Sequence, residues 1–139
     1  MEPIKVLIVD DEVEFLETVV KRLRKRNLDA NGVTSGEAAL DQLEKGHVDV
    51  IVLDVKMRGM SGLDTLREIK RKHDPVEVIM LTGHASMEAA MEGMALGAFD
   101  YLMKPAQIEE LVCKIEDAHR TLTLAEKSHQ LGPRIISNA

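Results

Sequence analysis

The chain has 139 residues, of which 45% are apolar and 30% charged, and its formal net charge is -6. This composition is typical of one globular domain that buries its own core, and the length leaves no room for a second full domain. The acidic balance and the small aromatic content, two phenylalanines and one tyrosine, argue against a nucleic-acid-binding surface.

Cysteine usage and the amino terminus bear on the cellular compartment. Cys113 is the only cysteine, so an intrachain disulfide is excluded and a reducing compartment is expected. Residues 1–5 carry neither the cationic start nor the cleavage site of a signal peptide, and no apolar stretch is long enough to cross a membrane. We therefore expect a cytoplasmic protein without membrane association.

The hydrophobic pattern of the first half predicts alternating strands and helices. Continuous aliphatic runs indicate strands buried on both faces, and apolar residues at helical spacing indicate helices with one buried stripe. The predicted elements are a strand at Lys5–Val9, a helix carrying Leu16, Val19, Val20 and Leu23 and ended by Asn27, a weak strand at Ala30–Val33, a helix from Ser35 to Gly46, and a strand at Val48–Leu53. We interpret the basic run 21–26 as the last turns of the first helix, with a phosphate-binding patch as the alternative.

The second half continues this alternation after a loop rich in glycine and methionine. The predicted elements are a helix at Leu63–Lys72, a strand at Val76–Leu81, a helix capped by Ser86 and ended by Gly97, a strand at Phe99–Met103, and a last helix that buries Ile108, Leu111, Val112 and Ile115. The stripe of Met87, Met91 and Met94 is interpreted as core packing, with partner contact as the alternative for one or two of them. Residues 1–122 are predicted to form the domain, and residues 123–139 a helix end, tail or linker.

The alternation predicts an α/β protein with an open parallel sheet covered by helices on both faces. Ligands of such sheets bind beyond the carboxyl ends of the strands, so the residues that end strands are the candidate site. These residues are Asp10, Asp11, Asp54, Thr82 and Lys104. A single aspartate of this kind is usually a helix cap and a single threonine a strand former, but the combination points to function.

The chemistry of this set favours phosphoryl transfer. Three neighbouring carboxylates repel one another unless a cation compensates them, and an all-oxygen ligand set favours Mg²⁺, or alternatively Mn²⁺, over zinc. The five histidines are too scattered to form a metal motif. A carboxylate nucleophile, a metal, a lysine and a hydroxyl are the groups that phosphoryl transfer requires.

These residues resemble the receiver domain of two-component response regulators over about residues 3–120. The resemblance is carried, in chain order, by Asp10-Asp11, by Val52-Leu53-Asp54 with Met57 and Gly62, by Leu81-Thr82-Gly83, by Tyr101, and by Lys104-Pro105. It implies a flavodoxin-like fold, a doubly wound five-stranded parallel sheet in the order 2-1-3-4-5 with five helices.

The resemblance also implies a phosphoacceptor and a metal site. Asp54 would take a phosphoryl group from a phosphohistidine of a sensor histidine kinase or a phosphotransfer protein. Mg²⁺ would be held by Asp11, by the Asp54 carboxylate and by the backbone carbonyl of Lys56, with Asp10 assisting. The domain would catalyse its own phosphorylation and dephosphorylation and would not be a turnover enzyme.

A switch and an output surface follow from the same resemblance. Thr82 would bond a phosphoryl oxygen and move toward it, which lets Tyr101 turn inward. Lys104 would pair with the phosphoryl oxygens, aimed by a cis peptide bond before Pro105. The fourth helix, fifth strand and fifth helix would then engage an effector domain, a downstream protein or a second copy in a phosphorylation-dependent dimer. Family likeness favours bacterial transcription regulation as the output.

The chain departs from the family at two positions in the loop after Asp54. Arg58 stands where proline is usual, and Ser61 replaces a common acidic residue. We expect neither to touch the chemistry, and both to alter loop stiffness and contact with the kinase. Lys56 and His84 occupy positions that flank the phosphoryl group in the family and influence its lifetime, although His84 is interpreted as a loop residue.

Two other functions remain as alternatives. An aspartate-nucleophile phosphohydrolase also has its nucleophile at a strand end, but it usually needs a second acid where Lys56 stands and a cap domain for which no residues remain. A degenerate receiver that only docks partners would not need the intact set of acidic residues and lysine.

Overall fold

Strands and helices alternate five times along the chain. The computed structural model describes residues 2–83 and 87–138, with side chains described as far as Leu124. The elements are β1 (Lys5–Val9), α1 (Val13–Arg24), β2 (Asp29–Val33), α2 (Gly36–Lys45), β3 (Val50–Asp54), α3 (Gly62–Lys72), β4 (Glu77–Thr82), α4 (Met87–Ala95), β5 (Asp100–Met103) and α5 (Ile108–Asn138). The predicted helix cap Ser86 lies outside the described residues.

The five strands form one parallel sheet in the order β2-β1-β3-β4-β5. This order confirms the predicted doubly wound, flavodoxin-like fold. In register, Leu7 of β1 lies opposite Ile51 of β3, and Leu53 of β3 lies opposite Met80 of β4. Because all strands run in the same direction, their carboxyl ends meet at one edge of the sheet.

Each face of the sheet carries its own apolar core, because successive side chains of a strand point to opposite faces. On one face Ile8 packs in a cluster with Leu23 of α1 and Ile115 of α5. On the other face Leu7 packs in a cluster with Leu66 of α3. All five side chains are at most 3% exposed, so truncating one to alanine would cost about 2–5 kcal/mol. Packing on both faces therefore fixes the positions of the strand ends.

The basic run 21–26 spans the carboxyl end of α1, as predicted. The helix ends at Arg24, and Asn27 takes a left-handed conformation with φ 64° as the chain turns toward β2. Arg24 donates a hydrogen bond to the Ala30 carbonyl over 2.8 Å, and Arg26 donates one to Glu109 over 2.9 Å. Two of the cations therefore tie α1 to β2 and to α5.

The packing of helix α4 contradicts the prediction that its methionine stripe lies in the core. Ala90 and Gly93 are the buried residues of this helix, whereas Met91 is 64% and Met94 39% exposed. A Cβ atom at Gly93 would lie only 3.3 Å from the side chain of Met80 in β4. Small residues therefore bring α4 close to the sheet and turn the larger side chains outward. The interpretation of Met91 and Met94 as core residues is wrong.

The last helix, α5, continues beyond the point at which the apolar periodicity fades. Leu111, Ile115 and Leu122 are buried, whereas Ile108 and Val112 are partly buried and pack at the edge of the core. The division into a domain at residues 1–122 and a helix end, tail or linker at residues 123–139 stays a prediction. Within the described part of the chain, no helix combines the length and apolarity that a bilayer crossing requires.

Candidate functional site

The carboxyl edge of the sheet brings the predicted acidic residues together. Asp10 and Asp11 follow β1, and Asp54 is the last residue of β3, which pairs with β1. One carboxylate oxygen of each lies within 4.8 Å of the others. Asp10 and Asp54 are buried, and Asp11 is half-buried at the mouth. Three anionic groups thus share a space that is only partly open to water.

Backbone groups fix the most deeply buried of these carboxylates. The Asp10 N–H donates to the Val33 carbonyl at the end of β2 over 3.1 Å. The Glu12 N–H donates to Oδ1 of Asp10 over 2.9 Å. A buried carboxylate needs such partners, since an unpaired charge away from water is costly. Asp10 is therefore locked in place at the start of the β1–α1 loop.

Lys104 bridges two of the three acidic side chains. Its Nζ lies 2.9 Å from Oδ2 of Asp10 and 3.4 Å from Oδ1 of Asp54. The Lys104 N–H donates to the Thr82 carbonyl over 2.7 Å, and the peptide bond to Pro105 is cis. The ammonium also lies 4.4 Å from the ring centroid of Phe15, over its face. Phe15 is a neighbour that the sequence reasoning did not identify.

The pKa values of the site reflect burial and the close spacing of charges. Burial and repulsion from Asp10 raise the pKa of Asp54 to about 6, although Lys104 acts in the opposite direction. Burial opposes the charge on Lys104, but its hydrogen bond to Asp10 and its attraction to both carboxylates raise its pKa. Near pH 7 Asp54 is therefore mainly a carboxylate, beside a protonated lysine.

Arg58 contacts the acidic cluster. Its backbone N–H donates to Oδ2 of Asp11 over 2.9 Å, and its Nε lies 3.4 Å from the same oxygen. The backbone hydrogen bond is the main cause that lowers the pKa of Asp11. The loop after β3 therefore approaches the β1–α1 loop and places Arg58 against a predicted metal ligand, a contact that the sequence did not indicate. The expectation that Arg58 leaves the chemistry untouched stays a prediction.

The same loop brings α3 against the backbone of the phosphoacceptor candidate. A Cβ atom at Gly62 would lie 2.2 Å from the Asp54 carbonyl oxygen and 2.7 Å from Cα of Val55. Only glycine permits this approach, so Gly62 supports the position of Asp54. Ser61 caps α3, since its hydroxyl accepts a hydrogen bond from the Asp64 N–H over 3.1 Å.

The remaining predicted site residues lie around this cluster. Thr82 ends β4, is fully buried, and its hydroxyl donates to the Gly83 carbonyl over 3.2 Å. Lys56 lies two residues after Asp54 with an exposed side chain. Tyr101 in β5 is half-buried and packs against the core on the α3 face. His84 lies outside the described residues.

The cluster fits a small, hard divalent cation. Carboxylate and carbonyl oxygens are the ligands that Mg²⁺ and Mn²⁺ take in proteins, and the three carboxylates offer oxygens close enough to share one ion. The Lys104 ammonium contacts Asp10 and Asp54. A divalent cation would relieve the repulsion that raises the pKa of Asp54. The site therefore places carboxylates beside a lysine ammonium, with oxygens that could also hold a divalent cation.

Comparisons with known proteins agree with this geometry. Residues 6–116 match the profile of the family described as the response regulator receiver domain. The chain is 33% identical over 137 residues to the heme response regulator HssR of Staphylococcus epidermidis, covering 98% of this chain and 61% of that protein. It is 37% identical over 111 residues to the DNA-binding transcriptional regulator NtrC of Klebsiella pneumoniae, covering 80% of this chain and 24% of that protein. The chain thus spans only part of the length of these relatives.

Solved structures show the same fold. A response regulator receiver domain protein from Clostridium thermocellum superposes with a TM-score of 0.84 at 33% identity, covering 88% of this chain and 98% of that chain. NtrX from Brucella abortus, solved in complex with ATP, superposes with a TM-score of 0.88 at 28% identity, covering 94% of this chain and 30% of that chain.

Proposed function

The chain belongs to the response regulator receiver domain family, and on that premise we propose that it is a phosphorylation-controlled switch in which Asp54 is the phosphoacceptor. The observation that carries the proposal is the meeting of Asp10, Asp11 and Asp54 within 4.8 Å, with Lys104 bridging two of them. A structural core would gain nothing from three adjacent carboxylates, because their repulsion opposes folding.

The proposed reaction transfers a phosphoryl group from a phosphohistidine to Asp54. A carboxylate oxygen of Asp54 attacks phosphorus, a P–O bond forms as the P–N bond breaks, and the leaving imidazole nitrogen takes up a proton. Lys104 neutralises charge on the phosphoryl oxygens, and Thr82 donates a hydrogen bond to one of them. Attack of water on phosphorus later restores the carboxylate and releases inorganic phosphate, so the domain catalyses both steps on itself.

Asp10, Asp11, Asp54 and the backbone carbonyl of Lys56 would hold the metal. When bound, Mg²⁺ would supply positive charge for the oxygens of the transferring group. Asp10 is already paired with Lys104, so we assign it a supporting role. The deep position of Asp10 and the outer position of Asp11 support this division of roles.

The proposed output is a shift of the surface formed by α4, β5 and α5. The phosphoryl group adds nearly two negative charges next to Thr82, which ends β4, and Thr82 would move toward it. Tyr101, half-buried in β5, would then turn inward. Met91 and Met94 lie exposed on α4, where they suit an effector domain, a downstream protein or a second copy of the chain.

Sensor histidine kinases or phosphotransfer proteins are the proposed phosphodonors, and the cytoplasm is the proposed location. The likeness to a heme response regulator and to a DNA-binding transcriptional regulator supports transcription control as the output. The proposed role in this chain is to receive the signal, without binding DNA itself.

Intact mass spectrometry tests the proposal. The protein is incubated with Mg²⁺ and either acetyl phosphate or phosphoramidate, with and without chelator. We expect one phosphoryl adduct in the wild type and in Asp74→Asn, a control that makes the same chemical change in an exposed turn. The adduct should be absent in Asp54→Asn and after chelation.

Two outcomes would contradict the proposal. An absence of adduct with both donors would favour a docking domain that only resembles a receiver. Release of phosphate from a free phosphomonoester, lost in Asp54→Asn, would favour a phosphohydrolase instead.

A further inference from the structure

Arg58 joins the two loops that carry the acidic cluster. Its backbone N–H lies 2.9 Å and its Nε 3.4 Å from one oxygen, Oδ2 of Asp11. The Arg58 side chain is 89% exposed, whereas that of Asp11 is 17% exposed. The contact therefore sits at the mouth of the site, between the β1–α1 loop and the β3–α3 loop.

The contact depends on the residue at position 58, because any residue except proline supplies the N–H and arginine adds the guanidinium. Proline, the usual residue of the family at this position, has no N–H and no charge. A chain with proline here could make neither the hydrogen bond nor the ion pair with Asp11. Arginine supplies both, so this feature belongs to the present chain and not to the fold.

The contact occupies one of the two oxygens of a carboxylate that would help to hold the metal. A carboxylate oxygen offers about two lone-pair directions, and here the N–H and the guanidinium approach the same oxygen. A divalent cation bound through that oxygen must displace at least one of these donors. The guanidinium is the easier to displace, because it is almost fully hydrated and an exposed ion pair is weak.

We propose that Arg58 is an internal competitor for Asp11 that sets the Mg²⁺ concentration at which the receiver site fills. The inference rests on the proposed function, since it requires that the acidic cluster bind Mg²⁺. In the metal-free protein Arg58 holds Asp11 between the two loops. Mg²⁺ binding releases the guanidinium to solvent, so occupancy of the site begins at a higher Mg²⁺ concentration than the carboxylates alone would require.

Calorimetric titration with MgCl₂ tests the inference on the full chain, with amide chemical shifts of the two loops as a second readout. Arg58→Ala removes the guanidinium but keeps the N–H, and we expect the Mg²⁺ Kd to fall about twofold to fivefold. Arg58→Pro removes both donors, and we expect a fall of about tenfold or more. Circular dichroism verifies that each variant is folded.

Arg71→Ala is the matched control for net charge. Arg71 pairs with Glu68 one helical turn away on α3, and no described contact links its side chain to the acidic cluster. The Arg71→Ala variant removes the same charge as Arg58→Ala but leaves the acidic cluster unchanged. We therefore expect its Mg²⁺ Kd to stay at the wild-type value.

The outcomes separate this inference from the proposed function. A wild-type Kd in both Arg58 variants, with measurable Mg²⁺ binding, would overturn the role of Arg58 and leave the receiver function intact. An equal fall in Arg71→Ala would also overturn it, because net charge alone would explain the effect. Failure of the wild type and of every variant to bind Mg²⁺ would overturn the metal site and the inference together.

Discussion

Two ion pairs at the same edge of the sheet differ in almost every respect. Lys104 contacts Asp10 over 2.9 Å with side-chain exposures of 21% and 2%. Arg58 contacts Asp11 over 3.4 Å with side-chain exposures of 89% and 17%. The first pair is held by buried strand ends, and the second joins two surface loops.

The difference shows how one acidic cluster can contain a fixed cation and an exchangeable one. Removing Lys104 would leave the buried Asp10 charge without its cation, so that pair contributes to the stability of the fold. Removing Arg58 would leave Asp11 close to water, which can replace it. The fixed cation therefore suits the role proposed for Lys104 toward a phosphoryl group, and the exchangeable one lies beside a carboxylate that we propose as a metal ligand.

The largest expected effect comes from removing each cation in turn. We predict that Lys104→Met lowers the free energy of unfolding by about 2–4 kcal/mol, because a buried carboxylate loses its partner. The matched change Arg58→Met should cost less than about 1 kcal/mol. Urea denaturation followed by circular dichroism, without divalent cations, measures both. Equal losses of unfolding free energy in the two variants would contradict the difference drawn between the two ion pairs.

Next in size is the pH dependence due to Asp54. Its pKa of about 6 lies above the ordinary value of 3.8, so the folded protein binds the proton more tightly than the unfolded chain does. The stability contributed by this proton is present below about pH 4 and is lost as the pH rises through about 6. We predict that, as the pH rises across this range, the free energy of unfolding of Asp54→Asn increases by about 1–2 kcal/mol relative to that of the wild type.

Paired urea denaturations of the two proteins in chelator, from about pH 4 to pH 8, measure this gain. A difference between the two proteins that does not change with pH would contradict the assigned pKa.

Mg²⁺ should stabilise the wild type by a comparable amount. A ligand that binds only the folded state at ten times its Kd adds about 1.4 kcal/mol to the free energy of unfolding. The gain should shrink in Asp11→Asn and disappear with chelator. Thermal unfolding at matched ionic strength measures it, and an equal gain from sodium chloride would indicate general screening instead of a site.

The smallest expected effect concerns the aromatic ring beside Lys104. We predict that Phe15→Leu lowers the free energy of unfolding by about 0.5–1 kcal/mol, because the Lys104 ammonium loses its contact with the ring face. Phe15→Tyr keeps the ring and should stay near the wild type. Urea denaturation compares the three proteins, and a loss in Phe15→Tyr equal to that in Phe15→Leu would assign the effect to general packing.

The arrangement of the strand ends could be predicted because it depends on local patterns. Apolar runs ending in Asp10 and Asp54 mark two strands, and a parallel sheet brings their carboxyl ends together. The predicted boundaries of these strands agree with the structure to within two residues, since β3 begins at Val50 and not at Val48.

Contacts between distant segments could not be predicted in the same way. Helical spacing shows that α4 has an apolar stripe, but only packing against Met80 shows that Ala90 and Gly93 face inward in place of Met91. The contact of Arg58 with Asp11 depends on the path of a loop, which no periodicity encodes. The sequence shows that arginine replaces proline at position 58, but it does not show that this arginine contacts Asp11.

Chemical trapping of the phosphorylated residue tests whether Asp54 is the phosphoacceptor. Borohydride reduces an aspartyl phosphate to homoserine, so protein treated with Mg²⁺ and acetyl phosphate can be reduced, digested and mapped by mass spectrometry. We predict homoserine at position 54 alone, and none when chelator is present. Homoserine at another aspartate, with position 54 unmodified, would contradict the assignment of Asp54 as the phosphoacceptor.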